Sequence, residues 1–277
     1  MTAGLRNVIG RFATAALLVA GLAGAGAAAA QSSPKPSNDV VREIAPGGVL
    51  RVAINYGNPV LAQKGKNGQA AGVSAALARA LAKRLQTKIE FRSFDSAGDV
   101  VAALDGGRGW DVAFLAIDPK RGETIAYSAP YVLIEGSYMV PTNSPIRTNA
   151  DVDRPGVRIA VGRNSAYDLY LGRHLRHAER VFSPTSAGAI ALFQRERLDV
   201  AASVRQPLEA YAKGRTDVRL LPGHFMTIEQ AVAVPKDRQA ARAYVEAFVE
   251  EMKANGFVAR ELRRSGQTDA TVAPPSR

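Results

Sequence analysis

The chain has 277 residues, enough for one large domain or two modest ones, and 47% hydrophobic with 22% charged residues is the composition of a chain that can bury a core. It contains no cysteine, which excludes a disulfide framework and a lipid anchor built on a processed cysteine. The net charge of +11 is scattered as Arg-Arg and Lys-Arg pairs and only 6% of residues are aromatic, which argues against a nucleic-acid reader, where basic and aromatic residues share one stripe.

Arg6 and Arg11 precede an uncharged stretch from Phe12 to Ala30 that is rich in Ala and Gly and ends in Ala28-Ala29-Ala30-Gln31. This is the pattern of a cleaved signal peptide over residues 1–30, which places the mature protein in the periplasm. Residues 31–47, with Ser, Pro and Asn, read as a flexible linker, and residues 267–277, with Pro274-Pro275, as a loose tail.

Between these ends the elements alternate. VLRVAIN (Val49 to Asn55) is a strand broken by Gly57, Asn58 and Pro59. Val73, Leu77, Leu81 and Leu85 line one helical face, Lys88 to Phe94 alternates as a strand, and Val100, Val101 and Leu104 mark a short helix before Gly106-Gly107. Asp111 to Ile117 reads as a strand buried on both faces. Two consecutive strand–helix–strand units predict a mainly parallel sheet.

The pattern restarts with a strand over Val157 to Gly162 and a helix from Ser165. Strands follow near Arg180 to Phe182, Asp199 to Val204 and Val218 to Leu221, with helices from Ser186 and over Pro207 to Ala212. Two extended runs, Tyr131 to Pro141 and Ile228 to Val234, connect this second unit to the first. A final amphipathic helix, with Ala241, Val245, Phe248, Val249 and Met252 on one face, packs back on the first unit. Two crossings between two α/β lobes make a hinge.

Five segments in this order resemble the bacterial extracellular solute-binding proteins of family 3, which serve ABC importers of amino acids and related solutes. They are LRVAIN, GVSAALARALAKRLQTKIEF, WDVAFLAIDPKRGETIAYSAPY, VRIAVGRNSAYD and AVAVPKDRQAARAYVEAFVEEMKANGF. The resemblance implies an α/β, type II periplasmic binding protein fold of two three-layer lobes joined by two extended hinge crossings. Lobe 1 comprises residues 48–134 and 229–266 and lobe 2 residues 137–226. It also implies a monomer that binds a small carboxylate-bearing solute, requires no cofactor and no nucleic acid, and delivers its solute to an ABC permease in the inner membrane.

The same resemblance assigns site residues. Arg121 matches an arginine that grips the ligand carboxylate, and a guanidinium fork suits two carboxylate oxygens. Ser165 and Ala166 match the helix start that faces the cleft, where free N–H groups favour an anion, and Ser165 with Asp168 also fits a capping box. Asp118 is placed to hold a ligand ammonium, to cap the turn at Pro119 or to pair with Arg121; Ala116 stands where a Ser or Thr often bonds the ligand.

Two positions depart from the amino-acid binders. Asn55 and, with a one-residue slip in register, Arg205 stand where acidic residues often hold the α-ammonium. A positive Arg205 in the cleft would favour a ligand with more carboxylate than ammonium character, or an amino acid held differently. Tyr56 is the one aromatic candidate beside Val60 and Ala97, which replace aromatic residues of the family. The family resemblance extends to periplasmic cyclohexadienyl dehydratases, for which Asp118 or Glu135 could be nominated as acid, and to ligand-binding sensors; a non-enzymatic binding role is the main expectation.

Three other patterns carry no chemistry. His174 and His177 sit three apart in an Arg-rich stretch without a further ligand. Gly106-Gly107-Arg108-Gly109 precedes a strand instead of following one, unlike a dinucleotide loop. Gly162 to Ala166 (GRNSA) lacks the second glycine of a nucleophile elbow.

Overall fold

The computed structural model describes residues 35–105 and 109–276. The export segment expected at residues 1–30, the start of the expected linker and the Gly106-Gly107-Arg108 run lie outside them.

Helix α1 (Asn38–Ile44) is capped by Ser37, whose hydroxyl accepts the Val40 N–H. Strand β1 (Val49–Asn55) leads to a small hairpin of β2 (Gln63–Lys64) and β3 (Ala70–Ala71) and then to α2 (Val73–Leu85). Next come β4 (Lys88–Phe94), α3 (Ala97–Asp105), β5 (Val112–Ala116) and the long β6 (Ile125–Pro141). The second lobe contains β7 (Arg158–Gly162), α4 (Ala166–His174), β8 (Glu179–Ser183), α5 (Ser186–Arg195), β9 (Val200–Val204), α6 (Arg205–Ala212) and β10 (Val218–Leu220). The chain returns through β11 (Met226–Pro235) to α7 (Gln239–Ala254), α8 (Phe257–Arg264) and β12 (Thr271–Val272).

One sheet runs in the order β4-β1-β5-β11-β6-β9-β7-β8, with β10 and β12 also paired to β6. β4, β1 and β5 are mutually parallel at one end, and β9, β7 and β8 at the other. The antiparallel β6 and β11 join the two parallel sets. These are the two crossings expected from the extended runs, and each is longer than its apolar core suggested. Because β6 continues past Gly136 into the second lobe, its early residues pair with β11 and its late ones with β9 and β10.

Every residue of β5 and of β9 is buried, as expected of central strands covered on both faces. Each edge strand is less covered, β4 alternating between exposed and half-buried residues. The final helix α7 buries Ala241, Val245, Phe248, Val249 and Met252 as its spacing predicts, and Arg84 of α2 ion-pairs with its Glu251, fastening it to the first lobe. Gly256, with φ 73°, turns the chain from α7 into α8, a backbone conformation that glycine adopts without a Cβ penalty.

Two expectations for the chain ends are corrected. The segment at 31–47 is not a flexible linker from Asn38 onward: Val40 and Ile44, four apart, are buried by α1 against α7. Glu43 accepts the Ala241 N–H at 2.8 Å, and its carbonyl accepts Arg238 Nη1 at 2.7 Å. The segment at 267–277 is not a loose tail either. β12 pairs with Leu133 and Val132 of β6, Ala273 is buried, and Lys253 Nζ donates to the Pro274 carbonyl. A polar composition concealed both, because a few well-placed apolar side chains suffice to anchor a short segment.

At the end of the first lobe away from the crossings' junction with the cleft, Asp111 is fully buried. It accepts the Arg51 N–H at 3.0 Å, Arg51 Nε at 2.8 Å, Arg51 Nη2 at 2.7 Å and Arg238 Nη1 at 2.8 Å. The pair raises the Arg51 pKa, first through the side-chain hydrogen bond to Asp111. This bracket ties the starts of β1 and β5 to the turn before α7.

The Tyr127 phenol in β6 is pushed up to about 12 by burial. A raised folded-state pKa means that the folded protein keeps a proton that the unfolded chain releases. The associated stability is intact below pH 10 and is lost as pH rises toward 12, by about 1.4 kcal/mol per pH unit. In urea unfolding series at pH 9, 10 and 11.5, the wild type is expected to match Tyr127→Phe in slope up to pH 10 and to lose that much more per unit above it. Equal slopes there as well would show that the phenol ionises freely in the folded state.

Candidate functional site

The carboxyl ends of the parallel strands from both lobes, and the helix starts that follow them, face one another across a cleft, the location at which open α/β sheets bind ligands. A cavity lies there, of about 40 Å³ measured as room for the centres of water-sized spheres. From the first lobe its wall takes Asn55, Gly57 and Asn58 after β1, Ser74 of α2, Ala116 at the end of β5, and Arg121. The second lobe contributes Ser165, Ala166 and Tyr167 at the start of α4 and Ser186 at the start of α5. The crossing strand β11 adds Ile228 and Gln230.

Arg121 begins a single 3-10 turn, Arg121–Glu123, and is only 4% exposed. Its Nη1 donates to the Ala116 carbonyl at 3.1 Å and its Nη2 to the Asn164 carbonyl, across the cleft, at 2.8 Å. No carboxylate among the described residues forms an ion pair with it. Burial lowers its pKa, with Tyr127 and Asp118 opposing that shift. A guanidinium has five donors, and two neutral carbonyls leave this buried cation without a counter-ion.

Opposite Arg121 the chain is shaped to present amides. Asn164 has φ 57°, a left-handed conformation that Asn tolerates, and this turns its carbonyl to Arg121 while its N–H donates to Asp168 Oδ2 at 2.7 Å. Ser165 then caps α4, its Oγ accepting the Asp168 N–H at 3.1 Å. The expected capping box is therefore shifted by one residue on its return arm. Thr185 caps α5 in the same way, through the Gly188 N–H at 3.1 Å. An added Cβ at Gly162 would stand 2.8 Å from Ser186 Cα, so glycine allows the end of β7 to approach the start of α5. Two helix starts thus border one cavity that also holds a buried guanidinium, an arrangement suited to an anion.

The Tyr167 side chain is 2% exposed, and its hydroxyl lies among Ser165, Ser186 and Ser203 without a hydrogen bond of good geometry to any of them. Burial raises its pKa. Asn58 Oδ1 is likewise buried without a donor. Ser74 Oγ meets Tyr131 Oη at 3.0 Å, and Asn55 Oδ1 accepts the Gly57 N–H at 2.9 Å.

The lobes touch at the rim. Asp118 Oδ2 and Arg173 of α4 form an ion pair at 2.9 Å, and a Cβ at Gly98 would lie 2.8 Å from Asn164 Cβ.

Asn55, Ala116, Arg121, Ser165 and Ala166, expected from the sequence, are therefore brought together around the cavity. Three others are not. Asp118 is buried beside it, with Oδ1 accepting the Lys120 and Arg121 N–H groups and Oδ2 engaged by Arg173, so of its three expected roles the turn cap is the one present. Arg205 points to the hinge, where it pairs with Glu135 and Glu209 and donates to the Gly223 carbonyl. Its charge is compensated there, which removes the like-charge argument built on it. Tyr56 packs against the first core with Lys64 Nζ 5.2 Å from its ring centroid. Glu135, nominated as a possible acid, is held at the hinge by Arg205 and His224.

Asn58, Ser74, Tyr167, Ser186 and Gln230 were not singled out by sequence reasoning. For Asn58, Ser74, Tyr167 and Ser186, proximity to a loop break or a helix start was the available signal; Gln230, in the middle of β11, carried none. His174 stacks on Tyr170 at 3.8 Å between ring centroids, and among the described residues no group of three or more His, Cys, Asp or Glu could hold a metal ion.

The model of the bacterial extracellular solute-binding proteins, family 3, matches residues 50–265. No curated protein sequence matches the chain. Among solved structures, a mutant of ArgBP from T. maritima is similar with a TM-score of 0.70 and 19% identity, over 82% of this chain and 99% of that one. The ancestral amino-acid-binding protein AncCDT-1, a precursor of cyclohexadienyl dehydratase, has a TM-score of 0.68 and 24% identity over 81% and 97% of the two chains. A histidine kinase sensor domain with similarity to periplasmic binding proteins has a TM-score of 0.69 and 20% identity over 81% and 98%.

Proposed function

Since the chain belongs to the bacterial extracellular solute-binding proteins of family 3 and has their two-lobe type II fold, we propose that it captures a small carboxylate-bearing solute between its lobes and delivers it to an ABC permease. The observation that carries this reading is the buried Arg121, which forms no ion pair among the described residues and faces the starts of α4 and α5. A carboxylate placed there neutralises the guanidinium and receives N–H groups from the opposite lobe, so its binding favours the closed arrangement over the open one.

In this reading lobe 1 is residues 48–134 and 229–266 and lobe 2 residues 137–226, with β6 and β11 as the hinge. The segment 1–30 directs export to the periplasm and is removed. Arg121, Ser165 and Ala166 grip the anion, with Asn55 and Ala116 lining the space beside it. Capture is favoured over catalysis because no carboxylic acid is among the described residues lining the cavity, and both nominated acids are engaged elsewhere.

A thermal-shift screen of small carboxylates tests the reading, since a ligand at 100 times its Kd stabilises the folded state by about 2.7 kcal/mol. At least one monocarboxylate should raise the midpoint and reduce the radius of gyration in solution scattering. A protein that no carboxylate stabilises, or that turns over prephenate, would refute capture as its role.

A further inference from the structure

We infer that the solute is a monocarboxylate bearing a hydroxyl where an amino acid bears its ammonium, the short 2-hydroxy acids being the simplest members of the class. This rests on the reading of the cleft as a carboxylate site and extends it to the group beside the carboxylate.

Among the described residues, the cavity wall contains one formal charge, that of Arg121. The side chains able to meet the rest of the ligand are neutral: Asn55, Asn58, Ser74 and Gln230 from the first lobe and β11, Tyr167 and Ser186 from the second. Asp118, three residues before Arg121, is turned to Arg173 and to the amides of its own turn. A monoanion therefore closes the cavity at zero net charge. A zwitterion neutralises Arg121 but leaves its ammonium enclosed with neutral acceptors alone, and a dianion leaves one negative charge in excess. Enclosing an ion without a counter-charge is far more costly than enclosing a hydrogen-bonded neutral group.

The polar atoms left open are ones that such a hydroxyl can meet. Asn58 Oδ1 is buried and receives no hydrogen bond, and the Tyr167 hydroxyl is buried without a partner of good geometry. A hydroxyl both donates and accepts, so it can satisfy groups of either kind at small desolvation cost.

Calorimetric titration of the purified protein with matched pairs isolates this group from size. The pairs are glycolate with glycine, L-lactate with L-alanine, and L-2-hydroxyisocaproate with L-leucine, with malonate as the dianion. The hydroxy acid of the best-fitting pair should bind on the order of 100-fold more tightly than its amino acid and than malonate. Asn55→Asp, which keeps the acceptor for the Gly57 N–H and adds a negative charge to the wall, should move that ratio about 100-fold toward the amino acid. An amino acid that binds as tightly as its hydroxy partner, or a ratio unmoved by Asn55→Asp, overturns the inference while leaving carboxylate capture intact. If none of the seven compounds binds, the inference fails, and the thermal-shift screen of small carboxylates decides separately whether capture does.

Discussion

Arg121→Met is expected to weaken carboxylate binding on the order of 1000-fold, about 4 kcal/mol, with little change in the stability of the free protein. The two effects separate because the guanidinium is in an unusual position. Its two partners in the closed cleft are carbonyl oxygens, and burial already disfavours its charge. Methionine gives up two hydrogen bonds but also removes a desolvated cation, so the terms nearly cancel in the absence of ligand. With a carboxylate bound, the same substitution removes the counter-charge of a buried anion. Titration calorimetry and a thermal melt of the ligand-free variant measure the two sides. A fall of more than about 8 °C in the free protein would assign Arg121 to holding the lobes together instead of holding a ligand.

Asp111→Ala is expected to do the reverse, lowering stability by about 3 kcal/mol, or roughly 6–12 °C in Tm, while leaving the affinity of the folded protein unchanged. Asp111 is the common acceptor for Arg51 and Arg238, and its loss also orphans the Arg51 N–H. The two arginines keep 31% and 22% of their side-chain exposure, so water recovers part of their solvation and the cost falls at the low end for a broken buried pair. Asp111 precedes β5, whereas the cavity forms beyond its other end at Ala116. Urea unfolding with and without a bound carboxylate reads both quantities. An affinity loss comparable to the stability loss would mean that the bracket also sets the cleft geometry.

On the proposed function, the two variants would divide the first lobe into an end that keeps it folded and an end that recognises the solute. The same division explains why Asp118, although beside the cavity, belongs to neither group simply. Its side chain holds the turn that positions Arg121 and reaches Arg173 on the other lobe, so it contributes to the site by positioning.

Periodicity in the amino-acid sequence was sufficient for the framework, because each helix and strand declares its buried face within a few residues. The strand over Val49 to Asn55, the helix over Val73 to Leu85, the all-buried β5 and the apolar face of α7 follow from local spacing and match the observed elements. The two crossings were legible for the same reason, and Arg121 and the Ser165 helix start through their order among family-like segments. Short anchored pieces were not legible: α1 and β12 owe their order to contacts with α7 and β6, which lie far along the chain.

Electrostatic roles depended still more on tertiary placement. Arg205 and Asp118 are charged in any reading of the sequence, but whether a charge faces ligand or protein is set by what lies opposite. Glu135 and Arg173 supply those partners from distant segments, 70 and 55 residues away respectively, and so take both side chains out of the cavity wall. The left-handed Asn164 and the unpartnered Tyr167 hydroxyl acquire meaning in the same way, only once the two helix starts have been brought against Arg121. Local pattern specifies which faces are buried, and long-range packing specifies which buried charge is left without an ion pair.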